Sequence, residues 1–497
     1  MSIWLVKEEL ERVKLPDQHY ERTPVPTQIV SNGEYTPIPQ TPQQRQVVSR
    51  INELSDEISE KHGLSRRKFL KTGSGMAVAF MAMNNVYGNY FEVGSEETRD
   101  LLAAKARLDV YKDQFIFDDQ LHFVSDEFEN TGILNLREFA AQMWNPAIKD
   151  KFDDFAYVQF ENFVKEVYFD SDTTIGLLSG APSDKIKDWF VSNEELAKTR
   201  QLVNEAAGTK RLYAHFVITP GQEGWIESIE QAIEELKPDS WKGYTIGDPM
   251  SLSEYPWRMD DENLIYPAYE IMEKAGIRNV CIHKGLLPNN YEQMMPGIWK
   301  YATVDDVGPA ARDFPNLNFV IYHSGLQPFF QPEQELAKFE ETGRINWVSD
   351  LAEIREKYGV DNVYAELGST FGSSCITHPR FAAAILGILI KGLGHDHVIW
   401  GTDSVWYGSP QWQLEAFRRI EIPSDMIEKF GFSPLGAGNC EIKSTILGHN
   451  AAQLYDLPPE LTAVSYYADD QLAKAKAKYQ QDGGEPSNMV YGFIYNE

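Results

Sequence analysis

FIFDDQLHF (residues 115–123) is a short apolar run that ends in a side chain able to bind metal, His122. Three later runs end in the same way: IRNVCIHKG (277–285) at His283, NFVIYHSG (318–325) at His323 and HVIWGTDS (397–404) at Asp403. Each is rich in β-branched or aromatic residues and stops near Gly or Ser, as a buried parallel strand does where it meets its loop. The four side chains lie far apart in the chain, so only the fold can gather them. A βα barrel does so, because its strand carboxyl ends converge on one face.

Strand-like and helix-like segments alternate from residue 115 onward, which is typical of stacked βα units. The predicted strands are 115–122, 174–179, 212–218, 241–246, 278–283, 317–323, 362–367 and 397–402. Their number and alternation predict an α/β fold, a TIM-like (β/α)8 barrel with an extended N-terminal arm. The alternative is an open doubly wound sheet, but no GxGxxG follows an early strand to support nucleotide binding.

The chain divides into three regions on this interpretation: an N-terminal arm with helices over 1–114, the barrel over 115–460 and a C-terminal tail over 461–497. The arm contains SRRKFLK (65–71), which resembles a twin-arginine export motif and precedes a modestly apolar stretch. Either residues 65–90 form such a signal and the protein is periplasmic, or they form a packed helix with Ser65 as its N-cap. The second alternative, with a cytoplasmic protein, is favoured because about sixty residues precede the arginines and no A-x-A cleavage site follows them.

Composition excludes several classes of function. The 497 residues carry 74 acidic and 46 basic side chains, a formal charge of -28, which disfavours a nucleic-acid partner. The three cysteines show no spacing typical of a disulfide framework or a thiolate zinc site. No apolar run is long enough for a membrane span. A hydrophobic content of 42% is ample for a large core.

Repetition at several strand ends is what makes these histidines candidate ligands, since a lone histidine on an apolar strand is more often a core residue. Imidazole nitrogens and a carboxylate are donors that zinc or a similar divalent ion accepts, with an open position left for water. Water bound to such an ion ionises near neutral pH and becomes a nucleophile.

These motifs resemble the amidohydrolase superfamily, within it the amidohydrolase-related branch that includes aminocarboxymuconate semialdehyde decarboxylase. The resemblance covers about residues 115–456 and includes KEVYFDSDTTIGLLSG (165–180) and ILGHNAAQLYDL (446–457). It implies one divalent metal, expected to be zinc, with His122, His283 and Asp403 as ligands. It also implies His323 as acid, base or electrophile over the substrate, and a proton-relay role for Asp403.

Gln120 departs from the His-x-His or Glu-x-His that usually opens this branch. An amide oxygen is a neutral, weak ligand, so metal affinity is lowered or lost. Because side chains alternate along a strand, Gln120 alone is expected to share the face of His122, although Asp118 or Asp119 could compensate. Gln120 is therefore included in the predicted metal site.

Several other residues are weaker candidates. Arg258 either clamps a substrate carboxylate or pairs with Asp260 or Asp261. Glu366 ends the seventh predicted strand and is expected either to orient a ligand or to bind substrate. Trp406 is predicted to contact substrate as part of an aromatic pocket, with core packing as the alternative. Lys242 is a candidate carboxylated ligand of a second metal, but a structural role is preferred because Gln120 makes a binuclear site unfavourable.

Three functions remain open at this point. The first is a metal-dependent hydrolase that acts on a small carboxylated or cyclic substrate through metal-bound water. The second is a non-oxidative decarboxylase that uses the same site. The third is a metal-free barrel with a binding or assembly role. The expected partners are a small-molecule substrate and further copies of this chain, held in a homo-oligomer by the N-terminal arm.

Overall fold

Eight strands in sequence order define the molecule. The computed structural model describes residues 23–30, 38–128, 138, 142–143, 158–249, 251–287, 291–327, 332–482 and 494. The predicted arm and tail therefore lie partly outside the described residues, at 1–22, 31–37, 483–493 and 495–497.

The strands form one parallel sheet in which each pairs with the next. They are β1 (Phe117–Leu121), β2 (Ile175–Leu178), β3 (Leu212–Val217), β4 (Ser240–Tyr244), β5 (Asn279–His283), β6 (Asn318–Tyr322), β7 (Val363–Glu366) and β8 (Val398–Ile399). Hydrogen bonds from Asp119 N to Trp400 O (3.0 Å) and from Asp403 N to Gln120 O (2.9 Å) join the last strand to the first. The predicted (β/α)8 barrel is confirmed.

Helices follow the strands around the barrel. Their bounds, with those of the N-terminal region first, are Pro42–Lys61, Arg66–Leu70, Gly73–Tyr87, Leu101–Val110, Phe160–Val164, Asn193–Ala207, Trp225–Glu235, Tyr266–Ala275, Tyr291–Met294, Trp299–Ala302, Val307–Asp313, Pro332–Thr342, Val348–Ala352, Ile354–Tyr358, Thr370–Ser374, Pro379–Leu393, Gln411–Arg419, Ser424–Phe430, Glu441–Ser444, Asn450–Leu454, Val464–Tyr467 and Gln471–Gln481. Local chemistry sets their ends: Ser192 and Glu195 form a capping box before Asn193–Ala207, and Gly208 ends that helix in the left-handed region.

β1 departs from regular alternation. Its pairing with β2 shifts between Asp118 and Leu121, as at a β-bulge. Asp119 Oδ2 consequently lies 3.2 Å from the hydroxyl of Tyr322, a residue of the barrel interior. The expectation that Gln120 alone shares the inner face is therefore wrong, because the bulge turns Asp119 inward as well.

The twin-arginine-like segment forms two helices rather than one. Ser65 caps Arg66–Leu70 as expected, accepting from Lys68 N at 3.4 Å. Thr72 interrupts the predicted helix because its side chain caps a second one, Gly73–Tyr87, by accepting from Gly75 N at 3.1 Å.

The second helix is largely buried in the main hydrophobic core. Phe80 lies under the Arg419 guanidinium, 5.4 Å from the ring centroid, and Phe91 forms a bridge with Ile420. The segment is thus an integral part of the packing between the N-terminal region and helix Gln411–Arg419. No helix in the described ranges combines the length and apolarity needed to cross a bilayer.

Candidate active site at the strand carboxyl ends

The four side chains predicted from the strand ends all lie on one face of the barrel. His283 is the last residue of β5, His323 directly follows β6, and His122 directly follows β1. Asp403 comes four residues after β8. Each is no more than 2% exposed, so the fold gathers them in a closed interior.

His122 is held with its Nε2 atom towards Asp403. Its Nδ1 donates to the Ser179 carbonyl at 2.6 Å, and its Nε2 lies 2.9 Å from Asp403 Oδ1. A lone pair beside a carboxylate oxygen repels it unless a proton or a metal ion supplies positive charge. The pair is therefore built to bind a cation.

His283 and His323 form the second pair. His323 Nδ1 donates to the Gly368 carbonyl at 2.8 Å, and its Nε2 lies 3.0 Å from His283 Nδ1. Burial lowers the pKa of His323 to about 4 and that of His283 well below its usual value, so both rings are neutral near pH 7. With His323 Nε2 accepting from His283 Nδ1, the lone pair of His283 is on its Nε2 atom and free to bind metal.

Asp403 is the anionic centre of the site. Burial alone would raise its pKa, but the hydrogen bond and charge of His122, with a hydrogen bond from Ser369 Oγ, hold the pKa well below its usual range. Asp403 is consequently a carboxylate at neutral pH.

Glu366 positions the turn that carries His323. Its Oε2 accepts from His323 N at 3.1 Å, its Oε1 accepts from Gly368 N, and its carbonyl accepts from Ser324 Oγ at 2.7 Å. Burial raises the pKa of Glu366 well above its usual value, opposed by the backbone donors. Glu366 thus contacts the site's backbone, and a direct contact with substrate stays a prediction.

Glycines make room for these side chains. A Cβ at Gly401 would overlap Glu366 Oε1, and a Cβ at Gly368 would overlap Gln120 Oε1. Only glycine allows the backbone to approach Glu366 and Gln120 this closely.

Backbone strain is concentrated here. Of the buried residues other than glycine that have positive φ, four belong to the site or its supporting turns: His323 (61°), Ser324 (50°), Ser369 (57°) and Asp403 (60°). Such conformations cost energy and persist where surrounding contacts impose them, most often at functional sites.

Aromatic rings enclose the histidines. Trp406 and Phe190 lie against His122, with ring centroids at 5.9 and 5.8 Å, and Tyr244 stacks on His283 at 4.5 Å and 18°. Trp406 therefore lines the site, where a substrate ring would find apolar walls.

Arg258 is engaged by other carboxylates. Its Nε and Nη2 bind the two oxygens of Asp260 at 2.8 and 3.0 Å, and its Nη1 lies 3.3 Å from Asp305 Oδ2. Of the two roles expected for Arg258, the structure contains the salt bridge, which is to Asp260. A substrate carboxylate would have to displace Asp260 to bind Arg258.

The donor set fits a divalent ion. Gln120 Nε2 lies 3.4 Å from His122 Nε2, and Gln120 Oε1 is buried with no hydrogen-bond partner among the described residues. That oxygen adds to the lone pairs of His122 and His283 and the carboxylate of Asp403, which are donors suited to zinc. Within the same ranges no three His, Cys, Asp or Glu side chains form a ready-made metal cluster. The metal site stays a prediction.

Sequence reasoning missed three contributors. Tyr244 ends β4 and Ser369 follows β7, so the strand-end signal that revealed the histidines was available for both. Phe190 lies in a loop after β2 with no local pattern that marks it. His215 also lies inside the barrel, with Nε2 2.9 Å from the Tyr322 hydroxyl.

Comparisons with known proteins bear on the family. A family model described as amidohydrolase matches residues 187–457, more than half of the chain. No curated protein shows significant sequence similarity to this chain.

One similar solved structure is an uncharacterised TIM-barrel protein from Bordetella bronchiseptica, with 17% sequence identity, a match over 69% of this chain and 98% of that chain, and a TM-score of 0.42. Another is a 2,6-dihydroxybenzoate decarboxylase from Rhizobium, with 13% identity, a match over 69% of this chain and 99% of that chain, and a TM-score of 0.41. A third is the 5-carboxyvanillate decarboxylase LigW from Sphingomonas paucimobilis, with 15% identity, a match over 69% of this chain and 100% of that chain, and a TM-score of 0.39. The family match confirms the resemblance seen in the strand-end motifs: this chain, with its buried histidines and Asp403 at the carboxyl ends of a closed parallel barrel, belongs to the amidohydrolase family of enzymes.

Proposed function

We propose that the strand-end site binds one divalent metal ion and catalyses non-oxidative decarboxylation of a small aromatic or unsaturated carboxylic acid. The observation that carries this proposal is the enclosure of the site: His122, His283, His323 and Asp403 are at most 2% exposed and lie behind aromatic rings. Loss of neutral carbon dioxide needs no water and is favoured where a carboxylate is removed from solvent.

His122 Nε2, His283 Nε2 and Asp403 Oδ1 would hold the ion, with Gln120 Oε1 as a weaker neutral ligand. When bound, the ion supplies Lewis acidity, which polarises a substrate carboxylate or hydroxyl oxygen. Zinc is the expected metal for these nitrogen and oxygen donors.

His323 is the proposed proton donor. The carbon–carbon bond to the carboxylate breaks, its electron pair stays on the substrate carbon, and that carbon takes one proton as carbon dioxide leaves. Gly368 O fixes Nδ1, so Nε2 is the atom that exchanges the proton. Because Nε2 of the neutral ring carries no proton, His323 first takes one from solvent and then passes it to the substrate carbon. Its low pKa makes this protonated form a strong acid.

Hydrolysis is the second candidate, and the position of Asp403 favours it. Its carboxylate lies 2.9 Å from the predicted ligand His122, where it can accept a proton from a water molecule that attacks the substrate. That chemistry suits a lactone or amide substrate.

Product analysis separates the two reactions. The protein is incubated in heavy-oxygen water with a panel of hydroxybenzoates, lactones and amides, and carbon dioxide and product masses are measured. Decarboxylation predicts carbon dioxide from a hydroxybenzoate and no heavy oxygen in the organic product.

Heavy oxygen in the product of a lactone or amide, with no carbon dioxide from any acid, would establish the hydrolase instead. His323→Gln is the matched control: it should abolish turnover while the predicted metal ligands remain in place.

A further inference from the structure

Lys242 projects from β4 into the barrel interior. It is fully buried, and its Nζ lies 3.2 Å from the centroid of the Tyr322 ring and 5.3 Å from that of Tyr244. Tyr322 pairs with His283 in the sheet, and Tyr244 stacks on the His283 ring. The ammonium group therefore reaches the level of His283, at the floor of the site.

Within the described part of the chain, the ammonium group of Lys242 lacks the carboxylate partners that two other cations, Arg258 and Lys284, have. Arg258 is bound by Asp260 and Asp305, and Lys284 by both oxygens of Asp306 at 2.8 Å. Lys242 Nζ is buried and, across the described ranges, has no hydrogen-bond acceptor. Its three N–H donors are available to a ligand.

Packing does not account for a lysine at this position. The interior of such a barrel is ordinarily filled by apolar side chains. A cation–π contact recovers only part of the cost of removing an ammonium group from water. Two buried carboxyl groups of the same interior act on the charge of Lys242 without bonding to it. The oxygens of Glu366 are taken up by the N–H groups of His323 and Gly368, and Asp119 makes no hydrogen bond to Lys242 among the described residues.

The charge state suits an anion partner. Burial lowers the pKa of Lys242 to about 8, so most of the molecules carry the ammonium at neutral pH. An anionic group placed beside it would satisfy its donors and stabilise its charge.

We propose that Lys242 is the anion anchor of the active site, which binds the carboxylate of the substrate from the barrel floor while the aromatic walls hold its ring. This inference rests on the proposed function in taking the substrate to be an aromatic carboxylate. It gives Lys242 a direct role in substrate recognition, in place of the clamp expected from Arg258.

Binding of benzoate and of its neutral isostere benzamide tests the proposal. Affinities are measured by calorimetry on the full chain as purified and again after dialysis against a chelator, which separates anchoring by lysine from anchoring by metal. Lys242→Met is expected to weaken benzoate binding about tenfold in both states and to leave benzamide unchanged.

Lys210→Met is the matched control, since Lys210 also lies over a tyrosine, 3.7 Å from the Tyr213 centroid, but is partly exposed and paired with Asp239. It should leave both affinities unchanged. Benzoate affinity that persists in Lys242→Met would overturn the proposal.

A crystal structure of the wild-type protein with benzoate needs no variant and decides the matter if Lys242→Met does not fold. A carboxylate oxygen within hydrogen-bond distance of Lys242 Nζ supports the proposal, and a carboxylate bound elsewhere overturns it. The two proposals can fail separately. If the wild-type protein binds benzoate through Lys242 more tightly than benzamide but releases carbon dioxide from none of the acids tested, the decarboxylase function is wrong and the anion anchor stands.

Discussion

At the scale of single residues, the site is made by hydrogen bonds that fix the orientation of each ring. Ser179 O and Gly368 O each receive Nδ1–H from one histidine, so Nε2 of both His122 and His323 faces the interior. This fixes which nitrogen can bind metal or move a proton, as such contacts do in metal sites generally.

Gly401→Ala tests the close packing beneath the site. The new methyl group would overlap Glu366 Oε1, so we expect a loss of about 1–3 kcal/mol in the free energy of unfolding and a fall in activity. Chemical denaturation measures the change in the free energy of unfolding. Gly94→Ala is the control, because its Cβ would meet Glu97 only at ordinary contact distance, 3.6 Å. Equal stability of the Gly401→Ala and wild-type proteins would contradict this packing.

The sequence was sufficient to place the four strand-end side chains because each ends its own apolar run, and a run is a local signal. It was not sufficient to pair them. The contact between His283 and His323, and that of Ser369 with Asp403, depends on how separate strands and loops approach in space. The inward turn of Asp119 depends on a bulge, which no alternation pattern predicts.

At the scale of elements, buried charge joins the N-terminal region to the barrel. Glu97 binds both terminal nitrogens of Arg419 at 2.9 Å, and Glu92 N donates to Arg419 O at 2.8 Å. Burial alone would raise the pKa of Glu97, but Arg419 and Arg107 outweigh it and hold the pKa below its usual 4.5. This contribution to stability is therefore present above about pH 4.5 and is lost as pH falls through the lower, folded-state pKa.

Glu97→Gln should accordingly destabilise the protein at pH 7 by about 3–5 kcal/mol, because it leaves Arg419 without its main partner. The difference from wild type should shrink as pH falls from about 5 to 3, where the wild type loses the same interaction. Denaturation curves of both proteins at several pH values measure this difference in the free energy of unfolding. A difference that stays constant over this range would show that Glu97 does not act through its charge.

Strand and helix order could also be read from the sequence, since the eight apolar runs correspond to the eight strands of the barrel. The break at Thr72 could not, because the side chain that caps the second helix lies within a pattern that is otherwise continuous for a single helix.

At the scale of the whole molecule, assembly through the N-terminal arm stays a prediction. Val25, Ile29 and Val30 are buried in the core of their own chain, together with Val47 and Ile51 of helix Pro42–Lys61. A deletion that reaches residue 60 would remove part of that core. Deletion of residues 1–22 is therefore the cleaner test.

Light scattering should give the full-length protein the mass of an oligomer and the shortened protein a lower mass. Unfolding curves for both proteins verify that the shortened chain keeps its fold. A monomeric full-length protein, or a shortened protein that keeps the full-length mass, would contradict assembly through the start of the arm.

The central claim is that residues from separate strands of an amidohydrolase barrel hold one divalent ion. Elemental analysis of the purified protein tests it most directly, with His122→Ala and Asp403→Ala as variants that each remove one ligand. We predict about one metal ion per wild-type chain and a clear loss in both variants, because three good ligands should saturate the site. Less than about half an ion per wild-type chain, or equal metal content in the variants, would contradict the account.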